Sequence, residues 1–286
     1  MKTIVLFTDF TPQSTHAARY ALHLAKKIKA DVLLADATRL RSNVLVLNDG
    51  FNDDPDDQLP VKNGKLLNLQ TLLETELIGN TMPGKFLPAI YCQSDEATVN
   101  EAIINFEENM EIAFVVAAVN AYYGASSIMT DKICGELLVS CKSPMILVPE
   151  DAPIRYAEKY AFLADITGNN VPTLARLAKL AEHSAAEIML VNINTGRPLD
   201  ADQEKAVKLI MKETVHQIEY GRIYYRHLPN SVLKSDVEWL FQDTRFEMLA
   251  MVYNRDSIHK QILRFDYKDK LIGNVNVPLL IYPSDN

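Results

Sequence analysis

The chain has 286 residues, a length that accommodates about two domains of ordinary size. Its composition, 48% hydrophobic and 23% charged, is that of a globular protein, and no apolar run approaches the ~20 residues that a membrane-spanning helix needs. The net charge of −8, without a stripe of Lys and Arg, excludes an ordinary nucleic-acid-binding protein.

The chain begins without the long apolar stretch and the small-residue cleavage site of a secretion signal. We therefore expect a cytoplasmic protein with no membrane partner and no nucleic-acid partner. Its three cysteines, Cys92, Cys134 and Cys141, are odd in number and lack C-x-x-C spacing. They indicate neither a disulfide framework nor a zinc site, and Cys134 and Cys141 are predicted to be small buried residues.

Strands and helices are predicted to alternate along the whole chain. In the first half the strands are 2–8, 31–36, 86–92, 112–119 and 145–148, and the helices are 15–29, 65–78, 95–109 and 130–140. In the second half the strands are 159–164, 187–193, 222–227, 246–253 and 279–282, and the helices are 171–184, 202–219, 231–242 and 267–273. Strands such as Ile4–Phe7 and Phe114–Val119 are apolar on both faces, as a sheet covered by helices on each side requires. The pattern predicts α/β architecture with doubly wound parallel sheets.

The two halves repeat one another. Each opens with an apolar run that ends in an Asp, KTIVLFTDFT at Asp9 and KYAFLADIT at Asp165. Each closes with a short apolar strand between prolines, Pro144–Pro149 and Pro278–Pro283. The repeat predicts two tandem domains, 1–150 and 151–286.

The first half is longer, and the difference matches the stretch from about Val44 to Gly64. This stretch is rich in Asp, contains Pro and Gly, and has no apolar period, so it is predicted to be a solvated, mobile surface loop. A binding role for its acidic run is the alternative.

The residues at both ends of the repeat carry a resemblance to a known family. The turns Thr8–Thr11 and Ala164–Thr167 and the two proline-flanked strands resemble those of the universal stress protein family, over essentially the whole chain. The resemblance implies a tandem two-domain member with Rossmann-like, adenine-nucleotide-hydrolase-like domains. Because single-domain members form two-fold dimers through the last strand, it also implies a pseudo-dimer in which Met145–Val148 and Leu279–Tyr282 pair within one chain.

In family members that bind ATP, the Asp after the first strand contacts the adenine, and a loop of the form G-x-x-G-(nine residues)-G-[ST] after the fourth strand holds the phosphates. Here that loop reads AAVNAYYGASSIMTDKICGELL, and Asp131-Lys132 stands where the family has Gly-[ST]. The residues that the resemblance leaves as candidates for nucleotide contact are Asp9, Asn120, Gly124, Ser126, Ser127, Thr130, Lys132 and Asp165.

The phosphate loops of both domains depart from the family pattern. Asp131 places a carboxylate where a phosphate should lie, and two like charges about 4 Å apart repel by roughly 4 kcal/mol at an effective dielectric of 20. In the second domain the loop has no glycine before Gly273 and carries Asp266 at the hydroxyl position, while Arg255, His259 and Lys260 supply positive charge nearby.

Asp9 and Asp165 have a second interpretation as helix N-caps. For Asp9 the two interpretations are equally supported, whereas capping is favoured for Asp165.

The sequence contains no G-x-G-x-x-G, G-x-x-x-x-G-K-[ST], G-x-S-x-G or H-E-x-x-H motif, and it offers no catalytic or metal-binding constellation. The resemblance therefore predicts a non-enzymatic stress-response protein, with an eroded site that binds ATP weakly or not at all and no required cofactor. The alternative is a sensor that binds ATP, AMP or another small ligand through domain 1. Besides the pairing of its own domains, a homodimer and a protein partner are left open.

Overall fold

A computed structural model of the chain describes residues 1–38, 59–79, 84–93, 98–119, 132–164, 171–193, 200–228, 246–253 and 277–284. The described residues fall into two units, one from Met1 to Glu150 and the other from Asp151 onward. Each unit is a parallel sheet with helices between its strands, so the predicted α/β class is confirmed.

The first unit contains five described strands in the order β3-β2-β1-β4-β5, and all four pairs of neighbouring strands are parallel. The strands are β1 (Thr3–Thr8), β2 (Asp31–Asp36), β3 (Ile90–Gln93), β4 (Ile112–Val119) and β5 (Met145–Pro149). The described helices of this unit are α1 (Pro12–Ile28), α2 (Leu59–Gly79), α3 (Val99–Asn109) and α4 (Lys132–Ser140).

The second unit repeats this topology. Its described strands are β6 (Lys159–Ala164), β7 (Glu187–Ile193), β8 (Ile223–Leu228), β9 (Met248–Tyr253) and β10 (Leu279–Pro283), and its described helices are α5 (Val171–Glu182) and α6 (Ala201–His216). The strand order β8-β7-β6-β9-β10 is that of the first unit when the strands are counted from the start of each unit. The predicted helices 231–242 and 267–273 lie outside the described residues.

The core of each unit is built on its first strand. Residues Ile4 to Phe7 of β1 and Tyr160 to Leu163 of β6 are buried, as expected for strands covered by helices on both faces. The ring of Phe7 lies against Phe106 of α3, with 6.3 Å between centroids. Burial of these apolar strands stabilises the sheet and positions the turns that follow them.

Helix α2 begins at Leu59, six residues before the predicted start, so the end of the predicted 44–64 loop is helical. The loop prediction rested partly on the Pro and Gly content of this stretch, but proline at position 60 is tolerated in the first turn of a helix, where its missing N–H would have no partner inside the helix. Residues 44–58 lie outside the described part of the chain.

Strand β3 starts at Ile90 rather than at residue 86. Pro88 explains the late start, because proline has no N–H to donate to a sheet. None of the helices in the described ranges is long and apolar enough to cross a membrane.

Candidate functional site

The first candidate residues lie in the turn that leads from β1 into α1. Thr8 is buried, and its hydroxyl donates to Ser14 Oγ over 3.0 Å. The Phe10 N–H donates to Thr8 Oγ1 over 3.1 Å. Phe10 has a φ of 61°, a left-handed conformation that residues other than glycine seldom adopt. The turn is therefore held in an unusual backbone geometry by the hydroxyl of the last strand residue.

Asp9 supports the helix cap but is not itself the cap. Its Oδ1 accepts two hydrogen bonds from Thr11, at 3.1 Å from the N–H and 2.6 Å from the hydroxyl. Thr11 is the N-cap of α1, and its Oγ1 accepts from the Ser14 N–H at 3.2 Å. The direct capping interpretation of Asp9 is thus wrong, because Pro12 begins the helix and the cap must be the residue before it. Asp9 instead orients the threonine that caps.

A second carboxylate follows the neighbouring strand β2. Thr8 and Asp36 are paired in the parallel register, and the Ala37 N–H donates to the Thr8 carbonyl over 2.8 Å. Asp36 Oδ1 accepts from the Thr38 N–H at 2.8 Å. The Thr38 hydroxyl oxygen is buried and has no hydrogen-bond partner among the described residues. The carboxyl ends of β1 and β2 thus carry similar turns side by side.

A positive charge lies near this position. Lys65 of α2 places its Nζ 5.9 Å from the centroid of the Phe10 ring, at the outer limit of a cation–π contact. We call Asp9, Phe10, Asp36 and Thr38 the strand-end site. In doubly wound sheets, ligands bind at the carboxyl ends of the strands, so the strand-end site is where a ligand of this unit is expected.

Most of the residues predicted for nucleotide contact fall outside the described ranges. These are Asn120, Gly124, Ser126, Ser127, Thr130 and Asp165, and Asp131, Arg255, His259, Lys260 and Asp266 fall outside as well. Lys132 is the first residue of α4, but its side chain is not described. Asp9 is therefore the one predicted contact residue whose surroundings are described. That Asp9 and the other predicted contact residues form one site stays a prediction.

Sequence reasoning missed Asp36 and Thr38, although a signal for them exists. Asp36 ends the apolar run of β2 as Asp9 follows that of β1, and each carboxylate accepts from the N–H two residues later. An Asp directly after a buried strand is the pattern of an Asx turn. Two such turns on adjacent parallel strands lie at the same edge of the sheet.

Two of the cysteines are buried side chains, as predicted. Cys134 has no exposed surface, and its thiol donates to the Ala118 carbonyl over 3.7 Å. Cys141 is also buried, and burial, with the nearby Glu107 carboxylate, raises the pKa of its thiol. Burial also raises the pKa of the half-buried Cys92. Raised thiol pKa values keep Cys92 and Cys141 protonated near neutral pH and therefore weakly nucleophilic.

Solved structures resemble this chain along its full length. A universal stress protein from Archaeoglobus fulgidus DSM 4304 is 13% identical, with a TM-score of 0.60 over 98% of this chain and 96% of the other. A protein from Pseudomonas aeruginosa UCBPP-PA14 that is assigned to the universal stress proteins is 12% identical, with a TM-score of 0.54 over 100% and 94%. The cytoplasmic domain of a prokaryotic cation chloride cotransporter is 9% identical, with a TM-score of 0.57 over 98% and 94%.

At these identities the likeness is one of fold. The chain has the universal-stress-protein fold, and because the likeness spans nearly all of each chain it includes both units. The resemblance predicted from the sequence is confirmed at that level. No model of a known protein family matches the sequence, and no curated protein matches it.

Proposed function

We propose that this chain is a non-enzymatic stress-response protein of the universal stress type, acting in the cytoplasm, whose first unit binds ATP weakly or not at all. The fold, which is that of the universal stress proteins, supports the assignment to this broad class of protein.

The observation that carries the proposal is the start of helix α4. The helix begins at Lys132, so in the sequence Asp131 directly precedes its first residue. A helix N-terminus after a sheet strand is a favourable position for phosphate, because N–H groups and the helix dipole favour negative charge there. A carboxylate that belongs to the chain at this point competes with the phosphates and repels them.

A nucleotide or small-ligand sensor acting through the first unit is the second candidate. The buried Thr38 hydroxyl favours it, because a buried hydroxyl with no partner in the described part of the chain is an available donor and acceptor. It lies at the end of β2, next to the strand that Asp9 follows. These groups could bind the base or ribose of a nucleoside, where the charge of Asp131 matters less.

A thermal-shift series with ATP and Mg²⁺, AMP and adenosine separates the two candidates. A ligand at 100 times its dissociation constant stabilises the protein by about 2.7 kcal/mol, which is readily measured. We expect no shift with ATP at millimolar concentration. Calorimetry that gave a dissociation constant below about 10 μM for ATP, roughly −7 kcal/mol, would contradict the proposal. An increase in Tm with adenosine but not with ATP would support the sensor. It would also indicate that the phosphates are what weakens the binding of ATP.

A further inference from the structure

The link that follows β5 contains a segment with its own pattern of burial. Residues 152–158, which we call the strap, precede β6 and belong to the second unit. Ala152 is 1% exposed and Ala157 is 5% exposed, whereas residues 153–155 between them are exposed. The strap is therefore buried near both of its ends and open to solvent in its middle.

One carboxylate contacts the C-terminal half of the strap twice. Glu247 directly precedes β9, and its side chain is only 19% exposed. Its Oε1 lies 2.6 Å from a terminal nitrogen of Arg155, and its Oε2 accepts the Glu158 N–H over 2.6 Å. Hydrogen bonds that involve a charged group are stronger than those between neutral groups, so these two contacts hold the strap at the start of β9.

A second side chain contacts the strap between these two points. Ser184 Oγ donates to the Ala157 carbonyl over 2.9 Å. Backbone pairing with the neighbouring strand begins only where the strap ends, because the Glu187 N–H donates to the Glu158 carbonyl over 2.8 Å. In the described part of the chain, side chains thus hold the strap in place, whereas backbone hydrogen bonds between strands hold the sheet that follows it.

We propose that the strap opens as one segment while the sheet of the second unit stays folded, and that Glu247 controls how often it opens. Besides the half-buried ring of Tyr156, the buried side chains of the strap are two alanines, which bury little apolar surface. A segment with little buried apolar surface and with polar contacts near solvent opens at a lower free energy than the core of its unit. This inference concerns the second unit and does not depend on whether the first unit binds ATP.

Opening of the strap lengthens the free part of the link. With the strap closed, two residues separate the end of β5 at Pro149 from Ala152, the first residue of the strap. With the strap open, nine residues separate the end of β5 from Lys159, where β6 begins. At about 3.5 Å per residue, the greatest span from Pro149 to the first fixed residue rises from about 10 Å to about 35 Å. The strap therefore gives the link two lengths.

Native-state hydrogen exchange of the full chain tests whether the strap opens by itself. The Glu158 N–H is bonded to the Glu247 carboxylate, so its exchange reports the opening of the strap. The reference is the N–H of Phe162, in the middle of β6 between β7 and β9, which exchanges when the unit unfolds. We expect Glu158 to exchange at least about 100-fold faster than Phe162 and almost independently of urea, because opening the strap exposes little surface. Exchange of Glu158 that rises with urea as steeply as that of Phe162 would overturn the proposal.

Limited digestion with trypsin tests the role of Glu247, because trypsin cleaves after Arg155 when the strap is open. The rate of such cleavage follows the population of the open form when opening and closing are fast. Glu247→Ala removes the acceptor of both contacts and should accelerate cleavage after Arg155 at least about tenfold. The matched control is Glu187→Ala, which removes a carboxylate of the neighbouring strand that pairs with Lys159 outside the strap, and it should leave the rate unchanged.

The urea midpoint of each variant separates opening of the strap from unfolding of the whole unit. Glu247→Gln keeps an oxygen that can accept the Glu158 N–H but loses the charge, and it should accelerate cleavage after Arg155 by about threefold. This variant provides the test if Glu247→Ala does not fold. Equal acceleration by Glu187→Ala, or an unchanged rate in a folded Glu247 variant, would show that Glu247 does not control the strap.

Discussion

In the turn after β1, the Asp9 carboxylate stabilises the start of helix α1 indirectly, through Thr11. Asp9 accepts hydrogen bonds from the hydroxyl and the N–H of Thr11, and the oxygen of that hydroxyl accepts the N–H of Ser14, the third residue of helix α1. The threonine is thereby fixed in the rotamer that caps the helix. The N-terminus of α1 is therefore capped by Thr11 with the support of Asp9, and not by Asp9 itself as the sequence pattern suggested.

We expect Thr11→Ala to lower the stability of the protein by about 1 kcal/mol, the usual loss for an N-cap hydroxyl. In a thermal melt this corresponds to a decrease in Tm of about 2–4 °C for a domain of 150 residues or more. Thr11→Ser keeps the hydroxyl and serves as the control, with a much smaller change. Equal losses in the two variants would mean that the methyl group, not the hydroxyl, matters at this position.

Asp131 is expected to control the affinity for ATP. Replacing it in the double variant Asp131→Gly with Lys132→Ser restores the Gly-[ST] pattern and removes the repulsion. Calorimetry should show that the variant binds ATP at least about fivefold more tightly, which is equivalent to roughly 1 kcal/mol. This lower limit is the repulsion between two charges about 4 Å apart in water. Lys132→Ser alone keeps the carboxylate and should give no gain. An unchanged affinity in the double variant would show that the loop is aligned wrongly.

Single elements are held in place by side-chain contacts between residues far apart in the sequence. Arg19 of α1 and Glu76 of α2 form a two-point ion pair, with Nε and a terminal nitrogen 2.9 Å and 2.8 Å from Oε1. The hydrogen bond to Glu76 raises the pKa of Arg19. Both side chains are partly exposed, so the pair orients α2 on α1 more than it stabilises the fold.

Glu107 of α3 holds the segment between α4 and β5 in place through two hydrogen bonds. Its Oε1 accepts the N–H groups of Lys142 at 2.8 Å and Ser143 at 2.7 Å. We expect Glu107→Ala to lower the free energy of unfolding by about 2 kcal/mol in urea titrations, because hydrogen bonds to a charged group are the stronger ones. Glu108→Ala, an exposed neighbour, should change it by less than about 0.5 kcal/mol. A similar loss in both variants would exclude an anchoring role for the carboxylate.

The acidic insertion should be dispensable for folding up to the point where α2 begins. Replacing Asn48–Gln58 by a short Gly/Ser linker should shift the Tm by only a few degrees, because such a composition buries little apolar surface. Extending the replacement to Lys62 removes the first turn of α2 and should lower the Tm further. Loss of soluble protein in the shorter replacement would indicate that the acidic segment packs on its domain.

In the chain as a whole, two units of equal topology are joined by a short link. The link is held to the second unit by Glu247, whose carboxylate lies 2.6 Å from Arg155 and accepts the Glu158 N–H at 2.6 Å. Each unit ends in a short apolar strand, β5 or β10, that is terminal in its own strand order. The pairing of these strands as a pseudo-symmetric contact stays a prediction.

Separating the halves tests this pairing. Fragments 1–150 and 151–286, expressed alone and then mixed, should associate, because each leaves an apolar edge strand without its partner. Size-exclusion chromatography with light scattering would detect the one-to-one complex. Two well-folded monomers that do not associate would show that the units are independent domains on a common link.

The sequence by itself determined the fold class and the repeat. Apolar runs such as Ile4–Phe7 are hydrophobic on both faces, and only strands covered by helices on each side allow that composition. The end motifs recur in both halves, so the equal strand order of the two units could be expected. The fold class and the repeat can be predicted because they depend on local patterns of apolar residues, which are visible in the sequence without knowledge of contacts between distant residues.

Only the tertiary structure decided how the ends of these elements are used. That Asp36 and Thr38 lie beside the Asp9 turn follows from the register of β1 with β2. That a side chain of α2 covers part of the outer edge of β3 follows from the hydrogen bond between Gln70 and Ile90. No local pattern encodes these contacts, because each joins residues separated by 20 or more positions, and their free energy exists only once the sheet has placed them within hydrogen-bonding distance.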